Sequence, residues 1–236
     1  MDGESRTIAD QLIRQLDLPA PPIQISYLDE APQGVREHPG RVPSACTFFA
    51  KGADSPFYAG IRAHEECEVG AFVLGIPPAG DLGRRLEATI GEFQRVGYLA
   101  PGEGAAIPHN DRAPKFVAYG PLGSLPVPPT AVLLFARPRS AMLALEAARS
   151  TPGAPAVPMN GRPMCAVVPL LNQGAPFALS LGCTGSRIYT GMGDDRMVIA
   201  IRGDHLRAFA RQLDAIVRAN AAVAREDEGR KAASVS

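Results

Sequence analysis

Four cysteines stand at positions 46, 67, 165 and 183, separated by 20, 97 and 17 intervening residues. No two of them form a Cys-x-x-Cys pair. A zinc knuckle takes paired cysteines two to four residues apart, so that one turn offers two ligands before the rest of the chain has folded. Thiols this far apart meet only if a complete globular scaffold brings them together. Either the fold gathers four distant segments around one centre, or the cysteines are four small buried apolar side chains.

The chain has the means to build such a scaffold. Its 236 residues bury a full core without covalent staples, and 46% hydrophobic against 20% charged residues is ordinary for a globular protein. Formal net charge is zero, with 24 basic and 24 acidic residues and no lysine or arginine stripe, which speaks against nucleic-acid binding. Apolar runs such as Thr130 to Ala136 are far too short to span a bilayer. The acidic start Met1-Asp2-Gly3-Glu4 is unlike a signal peptide, so a cytoplasmic location is expected. Reduced thiols rather than disulfides follow from that compartment.

Periodicity predicts an amphipathic helix over Arg6 to Leu16, capped by Ser5, and a strand from Ile23 to Leu28. A short helix carries Cys46, Phe48 and Phe49, with Ser44 as its cap and Gly52 at its end. Phe57 to Ile61 reads as a strand, and His64 to Ala71 as the start of a closely packed helix. Asp81 to Val96 is a surface helix burying Leu82, Leu86, Ile90 and Phe93. Strands follow at Lys115 to Tyr119 and Thr130 to Ala136, then a helix from Pro138 to Arg149 with Met142, Leu145 and Glu146 on its face. Met164 to Leu170 reads as a strand, Phe177 to Leu181 as another or a short helix, and Met197 to Ile201 as a last strand. Asp204 caps a long helix beyond it. No strand–helix repeat or linker divides the chain. The expectation is one α+β domain over residues 1–224, a mixed β-sheet flanked by helices, with residues 225–236 a frayed tail.

The stretch Ser180-Leu181-Gly182-Cys183-Thr184-Gly185-Ser186-Arg187-Ile188-Tyr189-Thr190 ends an apolar run in a cysteine held between glycines. Small residues allow close backbone approach. Arg187 either clamps a ligand carboxylate or pairs with Asp194 or Asp195. Tyr189 either donates to a ligand or is half-buried core. His64, three residues before Cys67, is a proton carrier or metal ligand near a cofactor, or a loop histidine. The Walker lysine, the dinucleotide fingerprint, the Gly-x-Ser-x-Gly elbow and the His-Glu-x-x-His helix are all missing.

These segments, taken in order, resemble one family: the domain of unknown function numbered 169, of archaea and bacteria. The resemblance runs from about Ile8 to Asn220. It is carried by Pro22-Ile23-Gln24-Ile25, Cys46 with Lys51-Gly52, His64 through Ala71, Pro129 through Phe135, Cys165, Ser180 through Arg187 and Asp194 through Met197. All four cysteines fall where the family pattern has them; where some members have a further cysteine this chain has Ser186. The resemblance implies a shared site at Cys46, Cys67, Cys165 and Cys183 more than it implies a reaction.

Soft sulfur ligands favour an iron–sulfur cluster or zinc. The expectation is an iron–sulfur protein, with a 4Fe–4S cluster on the four cysteines. A small-molecule pocket lies beside it, where His64, Arg187 and Tyr189 act on an acidic metabolite by redox or Lewis-acid chemistry. A non-catalytic metal or haem carrier, and a metal-free enzyme with Cys183 as nucleophile and His64 as base, stay open. The leucine-rich helix faces pack either within the monomer or across a homodimer.

Overall fold

The computed structural model describes residues 3–153 and 157–234. A seven-stranded mixed sheet runs through the molecule in the order β2-β3-β1-β4-β7-β6-β5. In chain order the strands are β1 (Ile23–Leu28), β2 (Phe57–Gly60), β3 (Phe116–Pro121), β4 (Ala131–Ala136), β5 (Met159–Asn160), β6 (Phe177–Ser180) and β7 (Met197–Arg202). Every named pairing is antiparallel except the short β5–β6 edge, which is parallel.

The middle strands are apolar on both faces because both are covered. Side chains alternate across a strand. Thus Ala131 and Leu133 of β4, with Val198 and Ala200 of β7, enter one core. Val132, Leu134 and Ala136, with Ile199 and Ile201, enter the other. Helices α1 (Gly3–Leu16), α5 (Pro138–Ser150) and α8 (Leu206–Ala233) cover the second face. The first face carries α2 (Cys46–Asp54), α3 (Glu68–Val73), α6 (Val167–Asn172) and α7 (Thr184–Thr190), and all four cysteines belong to this layer. The expected α+β architecture is the one observed. No helix among the described residues is long and apolar enough to cross a membrane.

Several local expectations are corrected. The segment 164–170 is no strand: Met164–Ala166 forms a 3-10 turn that leads into α6. Proline 169 explains it, since its missing N–H is harmless in the first helical turn but would break a central strand ladder. Helix α5 buries Ala141, Leu143, Ala144, Ala147 and Ala148, while Met142 is exposed. Its most extensive contact is with α8, and the alanine face allows the two axes to approach closely. Asp204 does not cap α8; it lies in a 3-10 turn, bonded to Arg202 and His205. Ser5 sits inside α1 rather than at its cap, and Ala45 rather than Ser44 is the cap position of α2, which continues past Gly52 to Asp54. Beyond residue 224 the chain remains helical to Ala233, with its side chains exposed. Helix α4 (Gly80–Arg95) forms as expected, yet Leu82, Leu86, Ile90 and Phe93 are only half-buried and none of its residues is fully buried.

Candidate functional site

Each cysteine sits where a helix or turn begins. Cys46 is the first residue of α2. Cys67 is the N-cap of α3, where its Sγ accepts the Gly70 N–H at 3.3 Å. Cys165 lies in the 3-10 turn ahead of α6. Cys183 caps α7, its Sγ accepting the Ser186 N–H at 3.4 Å while its own N–H donates to the Ser186 hydroxyl at 2.9 Å. Cysteine thus takes a place that serine or aspartate commonly fills.

Two glycines set this geometry. A side chain at Gly70 would lie 2.6 Å from the Ala45 Cβ and 2.9 Å from the Cys67 Sγ, so α3 approaches the start of α2 only because residue 70 has none. Gly182, with φ of +86°, makes the left-handed turn from β6 into Cys183, and a Cβ there would meet the end of Met192.

All four cysteines line one cavity of about 270 Å³. They are unpaired by disulfides. Cys46 and Cys165 are hydrogen-bonding neighbours: that bond pulls the Cys46 thiol below its ordinary range, and the same bond, with burial, pushes the Cys165 thiol well up. One of the pair therefore ionises first and the second resists, as two like charges at close quarters must. Burial also raises Cys67. Among the described residues no group of three or more His, Cys, Asp and Glu side chains is gathered so as to hold a metal ion. The thiols edge a volume and do not close on a point.

The remaining wall is largely apolar, with Ile90 and Phe93 of α4, Leu99 and Ile107 beyond it, and Tyr98 and Tyr189. Tyr189 is among the lining residues and is also partly open to solvent. Ser186 lines the cavity, but its hydroxyl is engaged with the backbone of Cys183, accepting from its N–H and donating to its carbonyl at 2.8 Å.

His64 and Arg187 are not on the wall. His64 is buried in the core beneath, its ring 4.5 Å from that of Phe48. Its Nδ1 faces the Ile61 carbonyl at 3.2 Å and its Nε2 the Tyr119 hydroxyl at 2.9 Å. A carbonyl only accepts, so Nδ1 carries the proton and Nε2 accepts from Tyr119. Burial brings the imidazole pKa down to about 4, so it is neutral at pH 7. Arg187 spans the loop after α7: its guanidinium donates to the carbonyls of Gly193 at 2.6 Å and Leu181 at 2.8 Å, with Asp194 at 3.5 Å. Of the two roles open to it, its contacts match the pairing with Asp194.

The cation that does line the cavity is Arg162, which the sequence does not single out. Nothing near it in the chain marks it, because its partners Tyr98 and Glu103 are some sixty residues away.

The family model described as Uncharacterised ArCR, domain of unknown function 169, matches residues 11–212. The chain belongs to that family. No curated protein and no solved structure matches it.

Proposed function

We propose that the protein binds an iron–sulfur cluster through Cys46, Cys67, Cys165 and Cys183, beside a pocket for a small molecule. The observation that supports this is that every cysteine of the chain lines the same cavity, although they lie up to 137 positions apart (183 − 46). Four thiols placed only as small core residues have no reason to share one wall. The donor set is all sulfur, which suits iron–sulfur chemistry. Ligands that edge a volume suit a cluster better than a lone zinc ion, which needs its sulfurs at about 2.3 Å.

Held by all four cysteines, the cluster would supply electron transfer; Lewis acidity at an iron open to substrate would require one of the four to stand off. The chain's own residues do the rest. The Gly70 amide donates to the Cys67 sulfur and the Ser186 amide to the Cys183 sulfur, which fixes where both side chains point. Ile90, Phe93 and Leu99 exclude water from one side. Tyr189 offers a hydroxyl at the wall. His64 has both ring nitrogens engaged and acts here as a core residue holding Tyr119.

Anaerobically purified protein should be brown, absorb near 400 nm and carry about four iron and four sulfide per chain. Each Cys→Ser change should lower the iron content by half or more. A folded, colourless protein without iron, even after reconstitution with ferrous iron and sulfide, overturns the proposal.

A further inference from the structure

Arg162 leads into the turn that carries Cys165 and forms part of the cavity wall. Its guanidinium lies 4.5 Å from the centroid of the Tyr98 ring, which lines the same cavity. On one side Nη2 donates to the Glu103 carboxylate, with N–O distances of 3.2 and 3.3 Å. Glu103 is itself held by the Ala100 N–H at 2.9 Å. Stacking and ion pair together fix the plane of the guanidinium. The side chain keeps 38% of its surface exposed; its Nε–H is shut off from solvent and from the cavity, with no acceptor among the described residues.

A guanidinium held in one plane on a largely apolar wall, with donors beyond the one it gives to Glu103, points to an anionic ligand. The rest of the wall says what kind. Glu68, the carboxylate on the wall, is occupied by the Thr89 hydroxyl at 2.5 Å and by Arg85 at 3.9 Å. Around these lie Ile90, Phe93, Leu99 and Ile107. A cavity of about 270 Å³ falls just below the range of roughly 300–1,000 Å³ that takes drug-sized ligands.

We propose that the cavity binds a small monocarboxylic acid with an apolar body, its carboxylate on Arg162 and its body against Ile90, Phe93 and Leu99. This rests on the reading of the cavity as a ligand site but not on the identity of the centre held by the cysteines. Glu103 then acts as a competing anion that sets the affinity, and Arg187, tied to two carbonyls, takes no part.

Benzoate and hexanoate, titrated calorimetrically into the anaerobically purified protein, test the assignment, with neutral benzamide as control. Both acids should bind and benzamide should be at least roughly tenfold weaker, since it lacks the charge-assisted bond. Arg162→Gln should weaken benzoate roughly 10- to 100-fold. Glu103→Gln should tighten it several-fold, a gain that damage to the fold does not produce. Arg187→Gln should leave it unchanged. Failure of both acids to bind, or Glu103→Gln weakening benzoate, overturns the assignment. Iron measured on the same samples keeps the two proposals apart: acid binding without iron sinks the cluster alone, and iron without acid binding sinks the acid site alone.

Discussion

A single methyl group at residue 70 tests whether the cysteine layer is as tightly built as described. In Gly70→Ala the new Cβ lies 2.6 Å from the Ala45 Cβ and 2.9 Å from the Cys67 Sγ. Normal carbon contacts are about 3.5–4.0 Å, so the first is short by about an ångström. Ala45 has no rotamer by which to yield, and Cys67 is held by its bond to the Gly70 amide. Overpacking of this kind costs about 1–3 kcal/mol, and the upper half of that range applies. Alanine's better helix propensity returns at most about 1 kcal/mol. The net loss is about 1–3 kcal/mol, or roughly 2–12 °C in Tm for a domain of this size. Gly91→Ala is the matched control: it lies in α4 with nothing within 4 Å of its added Cβ. It should gain up to about 1 kcal/mol. Urea unfolding followed by circular dichroism reads both. If Gly70→Ala is as stable as the parent, α3 does not press on α2 as described, and the geometry assigned to Cys67 fails with it.

Stability should also report His64. Its pKa falls from 6.5 to about 4 on folding, so below pH 6.5 the unfolded chain takes up a proton that the folded chain refuses. The stabilisation is whole above pH 6.5 and shrinks as pH falls to about 4, by up to about 3 kcal/mol in total; His64→Gln should flatten that slope in urea titrations at pH 7 and pH 5. Tyr119→Phe removes the hydroxyl that bonds Nε2 and should destabilise by about 1–3 kcal/mol in the same assay at pH 7. Arg187→Gln loses the bonds to Gly193 and Leu181 and should lower stability by about 1–2 kcal/mol, read as a lower Tm.

Much of the architecture was legible because both sheet faces are buried. The runs at 131–136 and 197–202 are apolar at every second position on each side, which leaves few other ways to pack them. Helix faces were harder. In α5 the eye goes to Met142 and Leu145, but the buried side is mostly alanine, because close approach to α8 favours small side chains over large ones. The segment around Cys165 misled for a related reason: its valines and leucines suit a strand equally well, and Pro169 was the one residue that argued otherwise.

At the candidate site, the shared position of the cysteines could be expected only from the family pattern, since no local spacing marks them. His64 and Arg187 stood near cysteines in the chain, yet a neighbour in sequence at the start of a helix points wherever the turn sends it. One went to the Tyr119 core and the other to its own loop. Arg162 carried no signal at all, because what makes it distinctive is an aromatic ring and a carboxylate supplied by the far side of the cavity.

The central claim is that sulfur atoms from four distant segments hold one inorganic centre. Crystals grown anaerobically, with diffraction recorded on both sides of the iron absorption edge, address it directly. The account predicts one compact iron peak in the cavity, touched by Cys46, Cys67, Cys165 and Cys183. Ordered protein with no iron density there, or iron bound away from those thiols, contradicts it.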